Sequence, residues 1–258
     1  MLTVISPAKK LDKSPNPRVQ DFTIPERIEE SETLIKALRK LSTQQIMNLM
    51  KISDTLAELN EDRYDDWKPT FDLKEAKQAV LTFKGDVYLG LGADKFQPSD
   101  LEYAQNHLRI LSGLHGILRP LDLIRPYRLE MGTRMPVDGA KHLYEFWGLK
   151  ITHVVNALLA EQKEKVLVNL ASKEYFKSIK HKEIDGRIIA CDFKEFKAGR
   201  YKAIMAFTKR ARGLMANYII KNRIETPEDL KGFDKGGYSF NEALSTENNW
   251  MFTRGEVN

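Results

Sequence analysis

Short apolar runs of strand length alternate with longer stretches of helical periodicity along the whole chain, and this alternation narrows the fold more than any other feature. Strand-like runs fall at 2–5, 76–83, 166–170, 184–193 and 201–207, and the last two flank the turn from Lys197 to Arg200, a hairpin signal. Helical spacing links Ile28, Leu34, Leu38 and Leu41, with carboxylates crowded near the start, where the helix dipole favours them. Ser42 and Thr43 read as the cap of a second helix carrying Ile46, Leu49 and Met50, extended by Leu56 and Leu59. Ser99 and Asp100 read as the cap of another, with Leu101, Ala104, Leu108 and Leu111 on one side. Further helices are expected over 143–159 and 209–221. Pro15, Pro17 and Pro25 suggest an irregular arm, and the tail around Gly232, Gly236 and Gly237 reads as polar and poorly specified. No repeat or low-complexity linker divides the 258 residues, so the expectation is a single α+β domain spanning 1–258.

Charge is distributed unevenly. The formal net charge is +5, yet 21–66 holds 11 acidic against 6 basic residues, while 161–235 holds 18 basic against 11 acidic. Such polarity fits a polyanion partner on one face, and it fits ordinary solubility equally well. No apolar run approaches the ~18 residues a membrane helix needs. The N-terminus lacks a secretory pattern, so a cytosolic location without membrane partners is expected. Cys191, the single cysteine, sits in the apolar stretch RIIACDF and reads as a buried, inert thiol.

Four stretches carry candidate chemistry. The first is LRILSGLHGILRPLDLIRPYRLEMG at 108–132, read as a helix, a tight glycine turn at Gly113–Gly116 and a short second helix. That outline matches a helix-hairpin-helix element, whose free turn amides meet phosphate oxygens. Arg109, Arg119, Arg125 and Arg128 set guanidinium forks nearby. The competing reading is an ordinary helix turn with solvated arginines. The second stretch, 207–223, puts Lys209, Arg210 and Arg212 at the front of a helix, where the dipole disfavours cations and a bound phosphate would relieve the conflict. A solvated basic helix explains it as well.

The third is Ser6-Pro7-Ala8-Lys9-Lys10. A lysine just past a strand end is placed to enter a cleft, as a phosphate contact or, if desolvated, as a Schiff-base nucleophile. The fourth follows the run 166–170: Asn169, Ser172, Glu174 and Tyr175 line either a site or a simple helix cap. Glu174 or Tyr175 would assist a catalytic Lys9 or Lys209. The five histidines show no HExxH spacing, and no phosphate loop, dinucleotide fingerprint or GxSxG elbow is present, so no metal or cofactor is expected.

The blocks ISPAKKLD (5–12), FKGDVYLGL (83–91), 108–132, LYEFWG (143–148), NLASKEYFKS (169–178) and KRARGLMANYII (209–220) resemble the YaaA family over nearly the whole length. The resemblance implies bacterial cytosolic defence against hydrogen peroxide, with less oxidative DNA damage and better control of free iron. It also implies an unusual single-domain α/β fold with a basic cleft and a helix-hairpin-helix element, here at 113–116 within 108–132. Lys9, Arg109, Arg119, Arg128, Lys209 and Arg212 lie inside the shared blocks. With Gly113 and Gly116 they are the expected contacts to DNA, double-stranded or branched, with little sequence preference. A DNA lyase or glycosylase-like enzyme using a cleft lysine, and a protein that limits free iron without touching DNA, stand as alternatives.

Overall fold

In a computed structural model of the chain, residues 1–12, 14 and 19–255 are described. Pro15 and Pro17 of the expected arm lie outside them. The strands are β1 (Leu2–Ile5), β2 (Lys10–Leu11), β3 (Lys77–Gln78), β4 (Phe83–Lys84), β5 (Leu108–Ser112), β6 (Gly116–Leu118), β7 (Leu123–Ile124), β8 (Val166–Leu170), β9 (Arg187–Lys197), β10 (Arg200–Lys202), β11 (Ser239–Phe240) and β12 (Asn249–Arg254). The helices are α1 (Ile28–Leu38), α2 (Thr43–Met50), α3 (Asp54–Asp65), α4 (Ala79–Thr82), α5 (Asp86–Leu91), α6 (Pro98–His107), α7 (Leu143–Trp147), α8 (Lys150–Ala160), α9 (Lys173–Phe176) and α10 (Met205–Lys221). The fold is mixed α/β in a single domain.

The main sheet runs β11-β12-β9-β8-β1-β5-β6, with β10 beside β9. The pairs β12–β9, β9–β8, β8–β1 and β1–β5 are parallel; β5–β6, β9–β10 and β11–β12 at the margins are antiparallel. Central parallel strands are covered on both faces, which requires near-continuous apolar sequence. Accordingly LTVI of β1 and LRILS of β5 are buried at every position. β9 instead alternates buried and half-buried residues.

Several expected elements appear where the residues put them. β1 and β8 have the expected bounds, and Ser42 caps α2 in a reciprocal capping box with Gln45. The β9–β10 hairpin turns through Ala198 and Gly199, both left-handed at φ 53° and 73°, but the expected strand 201–207 ends at Lys202 and its last residues instead open α10 at Met205.

Others differ for physical reasons. The run 76–83 is not one strand: β3 and β4 bracket the helical turn α4, whose Ala79 and Val80 amides donate to the loop carbonyls of Asp122 and Pro120. Periodicity alone cannot separate a short buried strand from a helical turn. The helix 143–159 breaks at Gly148 (φ 47°, ψ −117°) into α7 and α8. The tail forms β11 and β12, with β12 parallel to β9 and Phe252 stacked on Phe193 at 5.4 Å. Arg254 Nε donates to Glu195 at 2.6 Å and fastens that strand down.

The expected helix-hairpin-helix at 108–132 is strand–turn–strand. α6 stops at His107, and the leucines that continued its periodicity become β5, inserted between β1 and β6. A tight helix–turn–helix does occur at α2–α3, where Lys51 (φ 53°, ψ 55°) closes α2 and Ser53 opens α3. It contains no glycine, so a search for glycine turns passes over it.

Candidate functional site

β1 and β8 are neighbours whose chains leave in opposite directions, one toward β5 and the other toward β9. A crevice opens past the carboxyl ends of such a pair. Ser6 and Ser172 stand there: the Ser172 amide donates to Ser6 Oγ at 2.8 Å, and Ser6 Oγ donates to Ser172 Oγ at 3.3 Å. The Ala171 amide donates to Asn169 Oδ1 at 2.9 Å, and Tyr88 hydroxyl donates to the Ser6 carbonyl at 3.1 Å. These bonds fix the bend by which both strands leave the sheet.

Three further segments wall the crevice into a cleft of ≈ 760 Å³: the start of α5, the stretch 127–130 and the front of α10. Lys9, Arg128, Glu174, Tyr175, Lys209 and Arg212 all line it. Lys10, Lys84 and Lys173 add cations, against the carboxylates Asp86, Glu130 and Glu174. On α10, Met205, Thr208, Lys209 and Arg212 share one face by helical spacing, so a single helix delivers an apolar group, a hydroxyl and two cations together.

Lys9 Nζ and Arg128 Nη2 both approach Glu130 Oε1, at 3.2 and 3.0 Å, with Lys9 67% exposed and Arg128 17%. One carboxylate therefore sits between two cations from distant parts of the chain. Arg212 pairs only loosely with Asp192, at 3.9 Å, and burial draws its pKa down against the opposing pull of that carboxylate. The buried Nε atoms of Arg128 and Arg212 have no hydrogen-bond partner among the described residues. Glu174 Oε1 accepts the Gly132 amide at 3.0 Å, and its carbonyl accepts the Tyr144 hydroxyl at 2.9 Å. Burial, reinforced by Tyr127 and Glu174, pushes the Tyr175 hydroxyl well above its ordinary pKa, so it stays protonated. Among the described residues no group of three or more His, Cys, Asp or Glu is placed to hold a metal ion.

The other expected contacts lie elsewhere. Arg109 is 4% exposed, and its Nη1 donates to the carbonyls of Gln105 and Leu108 at 2.7 and 2.8 Å. Burial draws its pKa down to about 10. Arg119 is bound to Asp122 at 2.9 Å, to Glu26 at 3.4 Å and to the Ile24 carbonyl at 2.7 Å. Gly113 and Gly116 are buried packing positions: a Cβ on Gly113 would lie 2.2 Å from the Leu129 carbonyl oxygen, and one on Gly116 2.7 Å from the Trp147 ring. The turn's His115 amide donates inward to Ser112 Oγ at 2.9 Å. Arg109→Ala is therefore expected to lower stability by about 1–3 kcal/mol, the cost of stranding buried carbonyls. It should leave anion affinity of the folded protein unchanged; urea unfolding alongside a binding titration checks both.

The residues missed beforehand divide into two kinds. Met205 and Thr208 were legible from their spacing to Lys209 and Arg212. Tyr127 and Glu130 sit in an irregular stretch with no period to mark them. Cys191 is 1% exposed, and burial pushes its thiol far above the usual pKa. No helix among the described residues is long and apolar enough to cross a membrane.

The family model for peroxide stress protein YaaA matches residues 1–244. The UPF0246 protein of Ralstonia nicotianae is 53% identical over 254 residues, covering 98% of this chain and 99% of the relative. That of Burkholderia thailandensis is 53% identical over 256 residues, covering 98% of each. That of Acaryochloris marina is 50% identical over 254 residues, covering 98% of this chain and 100% of the relative.

Proposed function

Given that the chain belongs to the peroxide stress protein YaaA family, we propose that it acts in peroxide stress by gripping DNA, double-stranded or branched, through backbone phosphates at this cleft. The observation that carries the reading is the convergence of Lys9, Arg128, Lys209 and Arg212, from three separate segments, on one crevice. Arg128 and Arg212, which line that crevice, carry the planar guanidinium fork that suits phosphate oxygens. The front of α10 adds to this: it has no acidic residue in its first turn and no side-chain cap, so its first amides and dipole also favour an anion. Nothing in that set reads base edges, so affinity should depend on salt and little on sequence.

The geometry favours binding over catalysis by Lys9. That lysine is two-thirds exposed and held by Glu130, whereas a Schiff-base amine needs desolvation or neighbouring cations without a carboxylate partner. Glu174 is engaged by a backbone amide, and Tyr175 keeps its proton.

Fluorescence anisotropy with a labelled duplex across a salt series tests the proposal. Lys9→Ala combined with Lys209→Ala removes two exposed cations, so folding is retained. The slope of log affinity against log salt should fall by about 2, close to one unit for each lost phosphate contact. Lys36→Ala, on α1 and 64% exposed, is the control and should change nothing. An unchanged slope and affinity in the double variant would sink the reading.

A further inference from the structure

Backbone gripping needs only the cationic rim, yet the cleft continues inward past it. Its deepest lining is apolar or aromatic: Phe83 is 2% exposed, Leu170 0%, Val87 8% and Tyr127 6%. The half-buried Ser6 and Ser172, joined through their hydroxyls, line the same cleft at the end of the sheet. At the mouth, Met205 is 74% exposed, the most exposed large apolar side chain among the described residues, although it is the first residue of α10 and one turn from Lys209. Solvent-facing methionine contributes nothing to the core, and its soft thioether suits contact with a flat ring. The volume, ≈ 760 Å³, falls in the range that encloses a small organic ligand, about 300–1,000 Å³. A duplex cannot enter such a space; a single unstacked nucleotide can.

Resting on the phosphate-binding reading of the same site, we infer that the cleft receives one nucleoside monophosphate unit, with its phosphate on the rim cations and its base against the inner apolar wall under Met205. Arg128, Lys209 and Arg212 hold the phosphate. Ser6 and Ser172 offer hydroxyls to polar edges of the sugar or base. The unit comes either from a strand in which it is unpaired or from free nucleotide, since both present the same phosphate, sugar and ring. In a strand, an unpaired or bulged nucleotide enters most readily, because little stacking and no pairing must be broken. Binding then combines electrostatic tracking of the backbone with burial of one ring, as single-strand sites do.

The test uses 2-aminopurine, whose fluorescence rises when it leaves the base stack. Four probes are titrated against the full chain: a duplex with the analogue paired, the same duplex with it in a one-nucleotide bulge, the free deoxynucleoside 5′-monophosphate, and the free nucleoside. Met205→Ala and Ala203→Leu are compared with wild type; both positions are exposed, so folding is retained. Ala203 lines the mouth, and leucine there narrows it. The expected result is a saturable change several-fold larger for the bulge than for the paired duplex. The bulge response should weaken about three- to tenfold in Met205→Ala and disappear in Ala203→Leu, while Lys36→Ala leaves it at the wild-type level. A response to the free monophosphate alone, at least tenfold weaker for the nucleoside and blocked by Ala203→Leu, supports the pocket and assigns free nucleotide as its source. Salt-dependent duplex binding with no response from the bulge or the monophosphate overturns the nucleotide pocket and leaves the phosphate grip standing. A blocked-by-leucine nucleotide response without duplex binding does the reverse.

Discussion

Gly213→Ala is expected to destabilise the protein by about 3 kcal/mol, although alanine at a helix interior ordinarily stabilises by roughly 1 kcal/mol over glycine. The reason is the crossing of α5 and α10. A Cβ on Gly213 would lie 1.8 Å from the Val87 carbonyl oxygen and 2.8 Å from the Leu91 amide nitrogen. The opposing Gly90 is equally constrained, with its Cβ position 2.2 Å from the Arg210 carbonyl oxygen. Both obstacles are backbone, so no rotamer change relieves them and the helices must part. For a chain of this size the loss corresponds to roughly 6–12 °C in Tm. Because α10 carries Lys209 and Arg212 while α5 carries Asp86 and Val87, separation also deforms the cleft. Gly232→Ala is the control: its Cβ would meet only the Tyr218 hydroxyl at 3.1 Å, the end of a side chain that can shift. Differential scanning calorimetry decides the matter, and a Gly213→Ala protein as stable as wild type would show that the crossing is not close-packed.

Acid should unfold the protein through His115 in addition to its carboxylates. The ring is fully buried, with Ser31 Oγ 2.9 Å from Nδ1, no partner for Nε2 among the described residues, and the Tyr127 ring edge-on at 5.3 Å. Burial draws its pKa from 6.5 down to about 3. A folded-state pKa below the unfolded value means that the neutral ring's stabilisation is complete above pH 6.5 and is lost as pH falls toward 3. The loss runs at about 1.4 kcal/mol per pH unit and sums to roughly 4–5 kcal/mol. His107 is shifted the same way, again chiefly by burial, and adds to the slope. Urea unfolding of wild type and His115→Asn between pH 7.5 and 4 measures the effect. The stability advantage of wild type should shrink steadily below pH 6.5; a difference that stays constant with pH would mean that His115 titrates as an ordinary surface imidazole.

His115 also marks where sequence reading stopped. Residues 108–132 looked like a phosphate-binding hairpin because glycines and arginines stood close together. Glycine serves two ends: it frees a turn for a ligand, or it removes a Cβ that would strike a neighbour. At Gly113 and Gly116 the neighbours are the Leu129 carbonyl and the Trp147 ring, which local sequence does not reveal. Arg109 and Arg119 likewise went to carbonyls and carboxylates that arrive from other elements. Arg128 sits among the same arginines and does reach the cleft, and nothing within 108–132 distinguishes it from Arg109.

What the sequence determined by itself was local. Alternating apolar runs and helical periods fixed the mixed α/β class, β1 and β8 in full, the Ser42 cap and the β9–β10 turn, since each rests on neighbours within a few residues. Lys9, Lys209, Arg212, Glu174 and Tyr175 were also singled out from their positions at strand ends and a helix front. Only the tertiary structure decided that these five and Arg128 line one cleft, because that depends on β1 and β8 lying side by side, with Ile5 paired to Leu170 across most of the chain. It also decided that β5 is a strand, that β12 closes the sheet beside β9, and that α5 and α10 touch through two glycines. Parallel pairing and helix crossing join distant segments, and their energy is gained only when both partners are already in place.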